Sequence, residues 1–110
     1  MSGSSLPEAV VRLRIGFPAL AFRQQDGRWT DNLYIFVAER DDAAQNAQLS
    51  GETLRLSLKQ GTYEAAMPAG IPYHRDVEPR SKLGSVRIIV VDGNSGKIGT
   101  ITLPASAFHP

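Results

Sequence analysis

The stretch "VVDGNSGKIGT", residues 90–100, holds the residue types that come nearest to a chemical motif in this chain. A glycine–lysine pair after small polar residues is typical of a phosphate-binding loop, whose backbone N–H groups surround the phosphates and which runs directly into a helix. That motif, G-x-x-x-x-G-K-[ST], requires a glycine where Val91 stands and a hydroxyl side chain where Ile98 stands. After Lys97 the segment "IGTITLP" alternates and ends in proline, which predicts a strand instead of a helix.

The same stretch is therefore interpreted as a hairpin turn. Asp92 ends one strand, and the following "GNSG" reverses the chain before the next strand begins. Gly96 is expected in the left-handed conformation, because glycine takes a positive φ without steric cost. The side chains of Asp92 and Asn94 are expected to bond the turn's own backbone.

Other candidate ligands and catalytic residues lack suitable spacing. The two histidines, His74 and His109, are far apart and have no partner at the spacing that metal sites or catalytic pairs use. Asp41 and Asp42 could open a calcium loop, but "DDAAQNAQ" lacks the alternating acidic positions, so they are interpreted as solvated loop carboxylates. With no Ser-His-Asp or paired-carboxylate pattern, the chain is predicted to be no enzyme and to need no metal or cofactor.

Two aromatic residues leave an alternative open. Trp29 follows the Asp26-Gly27 turn signal, at a sheet end where carbohydrate-binding sandwiches carry exposed aromatic platforms. With Tyr73 it could form such a platform, provided that both rings share one exposed face. The alternative, which we favour, is that Trp29 closes one end of the core.

Composition excludes several classes of protein. With 110 residues the chain is the size of one domain, and the absence of cysteine excludes disulfides and thiolate metal sites. Twelve basic and eleven acidic residues give a net charge of +1, with the basic residues scattered, which argues against nucleic acid as a partner. No apolar run approaches the roughly 20 residues that a membrane span needs. The start "MSGSSLPEA" has neither the charged nor the apolar region of a signal peptide.

Period-two alternation predicts the fold. It is clearest in "VVRLRIGF", "TLRLSLK" and "SVRIIVVD", whereas "LYIFVA" is apolar on both faces and predicts a central strand covered on both sides. The segment "ALAF" is expected to continue the alternation, residues 39–52 are expected to form the longest loop, and "YEAAM" is expected to form one helical turn before Pro68. Pro72 places the strand "IPYHRDVEP" at an edge.

These elements predict an all-β, immunoglobulin/fibronectin-III-like β-sandwich of about seven antiparallel strands with one short helical turn. Residues 9–105 are assigned to the sandwich. Residues 1–8 are interpreted as a flexible leader, with a cloning origin left open, and residues 106–110 as a C-terminal tail.

The segment "VRIIVVDGNSGKIGTITLP", residues 86–104, resembles the end of bacterial von Willebrand factor A (VWFA)-related proteins. That family closes with a strand, the pattern D-x-x-[ST]-G-x-x-G-[ST] and a short final strand, and the matching positions here are Asp92, Ser95, Gly96, Gly99 and Thr100. The likeness extends upstream through "LRLSLKQGTYEAAMPAGIPYHRDVEP", although "PRSKLGS" departs from the Pro-Gly and tyrosine that often precede the penultimate strand.

The resemblance implies a C-terminal accessory domain of an exported or envelope protein, which places it outside the cytoplasm. We expect a non-catalytic interaction or spacer module that binds a protein or neighbouring domains, with carbohydrate as the alternative ligand. The presenting surfaces are expected at residues 41–52, the 92–97 turn and the Pro72 edge. The candidate surface residues are Trp29, Asp41, Asp42, Tyr73, Asp92, Asn94 and Lys97.

Overall fold

The computed structural model describes residues 9–41, 47–77 and 83–104. Its elements in chain order are β1 (Ala9–Ile15), a 3-10 helix (Phe17–Ala19), β2 (Arg23–Gln25), β3 (Arg28–Asp41), β4 (Ala47–Leu58), α1 (Gln60–Ala66), β5 (Ile71–Val77), β6 (Leu83–Asp92) and β7 (Ile98–Pro104). This confirms a mostly β domain of seven strands, all antiparallel, with one α-helix at the place where the sequence predicts a helical turn.

The larger sheet is built around β3. Along one side β3 pairs with β4, and on its other side it pairs first with β2 and then with β6, which in turn pairs with β7. The β2–β3 hairpin turns at Asp26 and Gly27, whose φ values of 53° and 78° are both positive, as the sequence signal predicts. Because β2 and β6 share one side of β3, a gap in strand pairing is left between them.

A second sheet of only two strands, β1 and β5, packs on the larger sheet. Its inward residues meet the inward residues of β3 and β6, and the core consists of Val11, Ile15, Phe17, Leu33, Ile35, Val37, Ile71, Tyr73, Val86 and Ile88. Alternation along β1 and β5 places Arg12 opposite His74 and Arg14 opposite Pro72 on the outward face. The edge position predicted from Pro72 is confirmed, since β5 pairs only with β1 among the described strands.

The prediction that "LYIFVA" is covered on both faces is wrong. On β3 the odd-numbered residues Leu33, Ile35 and Val37 are fully buried, whereas Tyr34 and Phe36 are 39% and 40% exposed. Alternation puts the two aromatic rings on the outer face of the larger sheet, opposite to the buried core residues of the same strand. Hydrophobicity on both faces of a strand therefore marks an exposed apolar surface here.

Two further segments differ from expectation. The predicted loop at residues 39–52 is mostly strand, because β3 continues to Asp41 and β4 begins at Ala47. Its remaining residues, 42–46, lie outside the described ones. The segment "ALAF" forms part of the 3-10 helix and an extended connection, without strand pairing. Among the described residues, no helix is both long and apolar enough to cross a bilayer.

Candidate functional site

The 92–97 turn has the hairpin geometry that the sequence predicts. The Gly96 N–H donates to the Asp92 carbonyl over 2.7 Å, and the Asp92 N–H donates to the Lys97 carbonyl over 2.9 Å. Gly96 has a φ of 77°, and β7 begins at Ile98, where a phosphate loop would require a helix. Lys97 is exposed. The Asp92 carboxylate bonds the turn as expected, accepting the Ser95 N–H over 2.9 Å through Oδ2.

Asn94 acts outside its own turn, contrary to expectation. Its Nδ2 group donates to the carbonyl of Ala21 over 2.7 Å and to the carbonyl of Thr30 over 3.0 Å. These bonds tie the turn to the connection before β2 and to the first residues of β3. The amide of Asn94 therefore closes the gap in pairing between β2 and β6.

The gap lies beside two residues of β3. Pairing with β2 covers β3 as far as Thr30, and pairing with β6 begins at Leu33, so Asp31 and Asn32 have no strand partner on this side. The Gly93 N–H supplies one substitute bond, donating to the Asn32 carbonyl over 2.7 Å. The inward side chain at this position is Asp31, which directs a carboxyl group into the core.

Asp31 and Asp92 form a buried carboxyl pair at this junction. Their exposed fractions are 3% and 1%. Asp92 Oδ2 accepts hydrogen bonds from the Ala21 N–H over 3.3 Å and from the N–H and hydroxyl of Ser95. Among the described residues, no donor bonds Asp92 Oδ1 or either Asp31 oxygen when these atoms are taken as acceptors. A proton on Asp31 supplies the missing donor, because the resulting O–H can bond the free oxygen of Asp92.

The surroundings favour this arrangement of one proton and one charge. Burial raises the pKa of Asp31 to about 7, and the hydrogen bond and charge of Asp92 act in the same direction. For Asp92, burial opposes ionisation, but the hydrogen bonds from Asp31, Ser95 and Ala21 outweigh it and hold the pKa below its ordinary value of 3.8. Between the lowered pKa of Asp92 and the pKa of Asp31 near 7, the pair therefore shares a single negative charge that is centred on Asp92.

The pair is better suited to holding a proton than a cation. Every partner of Asp92 Oδ2 is a hydrogen-bond donor, and such donors stabilise an anion without supplying further ligands to a metal. Within residues 9–41, 47–77 and 83–104, no three His, Cys, Asp or Glu side chains are grouped to hold a metal ion. The sequence contains a signal for this pair, which sequence reasoning missed. Asp31 has the same parity as the buried residues Leu33 and Ile35 on one strand.

Trp29 and Tyr73 do not form the shared aromatic face that carbohydrate binding requires. The Trp29 ring, half-buried, stacks on Tyr63 with ring centroids 4.2 Å apart, and its Nε1 donates to Gln60 Oε1 over 2.7 Å. Tyr73 belongs to the other sheet, is 6% exposed and donates its hydroxyl to Glu52. Burial and this hydrogen bond to Glu52 raise the pKa of Tyr73.

The remaining candidate residues are placed separately. Asp41, at the end of β3, is half-buried, and Asp42 lies outside the described residues. Of the predicted surface residues, Asp92 and Asn94 meet at the β2–β3–β6 junction, where both are engaged in hydrogen bonds. Neither is a freely presented side chain.

A group of partly exposed apolar residues lies on the outer face of the larger sheet. Cross-strand pairing aligns Tyr34 with Val91 and Ile98 in one row, and Phe36 with Ile89 in the next. We call these five residues the outer apolar patch. Ile98 is 66% exposed, and Tyr34 and Phe36 are exposed by about two-fifths. The rings lie against glycines, since a Cβ added to Gly93 would be 3.1 Å from Tyr34 and one added to Gly51 would be 3.2 Å from Phe36.

Fold and site together define a two-sheet, mostly β domain with a buried carboxyl pair and an exposed apolar sheet face. Comparison of the chain with protein-family models, with curated proteins and with solved structures finds no match. The likeness to VWFA-related proteins accordingly rests on the residues of the chain alone.

Proposed function

We propose that this domain is a non-catalytic, immunoglobulin- or fibronectin-III-like interaction module that binds a protein partner within a larger exported protein related to the VWFA-related family. The observation that supports the proposal most is the outer apolar patch. Exposed apolar surface on a folded domain costs free energy in water, and contiguous patches of this kind mark interaction sites.

The shape of the patch favours a protein surface as its partner. Its residues are contributed by three adjacent strands, so they form a continuous sheet face instead of a cleft for a small molecule. The rings of Tyr34 and Phe36 lie close to glycines, and aromatic side chains have few torsions to immobilise, so they lose little entropy on association. Rigid aromatic residues of this kind are enriched among those that dominate protein–protein binding energy.

The surroundings of the patch add a charge preference. Arg87 on β6 and Arg55 on β4 are both exposed and point to the same outer face, as their pairing with Ala38 and Asn32 requires. A partner with an apolar centre and acidic residues at its border would complement this surface. Carbohydrate binding receives less support, because Trp29 and Tyr73 supply no common exposed face.

The test is site-directed crosslinking followed by a direct affinity measurement. A photoreactive phenylalanine analogue at Phe36 should crosslink one envelope or secreted protein of the source organism, and the analogue at His74, on the outer face of the smaller sheet, should not. The captured protein, purified separately, should bind the domain, and Phe36→Ser and Tyr34→Ser should each weaken binding at least about tenfold. The control His74→Ser should leave the affinity unchanged.

Two results would contradict the proposal. One is a partner that binds the parent domain and both patch variants equally, provided that circular dichroism shows both variants to be folded. The other is turnover of any substrate by the isolated domain, because the proposal assigns it no catalysis.

A further inference from the structure

The sandwich is open along one side. The two-stranded sheet covers only part of the inner face of the larger sheet, and a groove of about 420 Å³ remains between β1 and β7. Its lining is mostly apolar and includes Leu13, Ile15, Leu20, Ile88, Val90 and Ile101. We call this feature the open groove. Its volume lies within the range of about 300–1,000 Å³ typical of ligand sites.

Glycine at one inward position of β7 keeps the groove open. Pairing places Gly99 opposite Val90 and Ile101 opposite Ile88, so the positions at 99 and 101 face inward. A Cβ added at Gly99 would meet no atom within 4 Å. Ile101 faces inward and is nevertheless 47% exposed. The inner face of β7 at Gly99 and Ile101 is therefore a surface that the described elements leave partly open.

Two unpaired strand edges border the groove. Among the described strands, β1 pairs only with β5 and β7 pairs only with β6. Each edge presents backbone N–H and C=O groups, which are a template for a further strand. An extended peptide beside β1 could use these backbone groups and at the same time cover the inner face of β7.

We propose that the open groove binds an extended peptide segment of a partner protein, which adds to β1 as a third strand and packs alternate apolar side chains against Val90 and Ile101. Lys97 is exposed and lines the groove, whereas Asp92, the one acidic residue of the lining, is buried and hydrogen-bonded. The segment therefore carries an acidic residue at the Lys97 end. This inference rests on the proposed function only in taking a protein as the ligand.

Charge and backbone hydrogen bonding favour an extended peptide over two other possible ligands of the groove, a second copy of this chain and a fatty acid. A second copy would offer the edge of β7 or β1, and neither "IGTITLP" nor "AVVRLRI" contains an acidic residue to meet Lys97. A fatty acid would complement the apolar lining and the charge of Lys97. It would, however, leave the backbone groups at the edges of β1 and β7 unpaired. An extended acidic peptide is the occupant that uses the apolar lining, the positive charge and the backbone groups of the β1 edge together.

The test uses a synthetic peptide of about seven residues, a typical strand length, with alternating valine and threonine and an aspartate at one end. Binding is measured by titration of the isotope-labelled chain, monitored through its backbone amide signals. The signals of β1 and β7 should shift, and those of the outer apolar patch on β3 should not. A peptide of the same composition with its valines adjacent is the pattern control.

Three variants identify the groove. Gly99→Val should fill it without backbone strain and weaken binding at least about tenfold, whereas Thr102→Val, on the outward face of the same strand, should have no effect. Lys97→Glu should weaken binding of the aspartate peptide and strengthen binding of its lysine counterpart. Thermal unfolding should show the Gly99→Val chain to be at least as stable as the parent, which separates a blocked groove from a lost fold.

Several outcomes would overturn the inference. Equal binding by the parent and Gly99→Val excludes the groove, as do peptide-induced shifts confined to the outer apolar patch. Binding of decanoate without binding of the peptide identifies a small amphiphile as the ligand. Concentration-dependent dimerisation that Gly99→Val abolishes identifies a second copy. If the peptide fails while a partner still binds in a Phe36-dependent manner, the groove inference alone is lost and the proposed function stands.

Discussion

Replacing Asp31 by asparagine should change the pH dependence of stability in a defined direction. The folded chain keeps the Asp31 proton up to a pKa of about 7, whereas the unfolded chain releases it near the ordinary value of 3.8. Between these values the folded state binds more protons, so the free energy of unfolding falls as the pH rises. Asp92 changes the free energy of unfolding with pH in the opposite direction. Because its pKa is lowered in the folded chain, this change falls below pH 3.8.

The size of this change in unfolding free energy follows from the interval between the ordinary pKa of Asp31, 3.8, and its pKa in the folded chain, about 7. At about 1.4 kcal/mol per pH unit, the parent should lose up to about 4 kcal/mol across this window through Asp31 alone. The Asp31→Asn variant has no proton to lose, and its amide can donate to the free oxygen of Asp92. The variant should therefore be close to the parent near pH 4 and more stable by a few kcal/mol above pH 8.

The assay is urea unfolding of both chains at a series of pH values from 4 to 9, with the difference in unfolding free energy plotted against pH. Subtracting the variant removes the contributions of all other titrating groups that the two chains share. Asp26→Asn, in the exposed β2–β3 turn, is the matched control and should follow the parent throughout. A parent-minus-variant difference that stays constant from pH 5 to 8 would refute the shared-proton arrangement.

The remaining predictions concern single side chains and are measured by the same unfolding assay. Leu56→Ala should cost near the lower end of about 2–5 kcal/mol, because Leu56 faces inward but is only half-buried, and a cost below about 0.5 kcal/mol would contradict its core position. Lys97→Ala should change stability by less than about 0.5 kcal/mol, since the side chain is exposed. Gly96→Ala should cost about 1–2 kcal/mol through its positive φ alone. Gly70→Ala should cost more than Gly96→Ala, because a Cβ there would also lie 2.9 Å from the Ile15 carbonyl oxygen.

Much of the fold could be predicted because alternation reports which face of a strand is buried. The runs around Leu13, Leu56 and Ile88 each appear as strands with the expected residues inward. Alternation does not report whether the other face is covered, and for this reason Tyr34 and Phe36 were expected inside. It also fails where polar residues pair in long strands, as at residues 47–52, because a hairpin arm outside the core needs no apolar face.

The carboxyl junction was harder to anticipate, since it depends on pairing across the sheet. Hairpin chemistry predicted the left-handed Gly96 and a bond from the turn's backbone to the Asp92 side chain, both of which involve neighbours in sequence. Asp31 can contact Asp92 only if β2 and β6 pair with the same side of β3. Local sequence does not specify this strand order. The parity of Asp31 with its buried neighbours was the one available signal.

The pairing of β1 with β5 has a consequence for the order of folding. The β3–β4 and β6–β7 hairpins join segments that are close in sequence, whereas the β1 and β5 partners are separated by about half of the chain or slightly more. Closing such a large loop costs more conformational entropy and slows assembly. The small sheet should therefore dock late, and mutations in β1 should accelerate unfolding while leaving the refolding rate nearly unchanged.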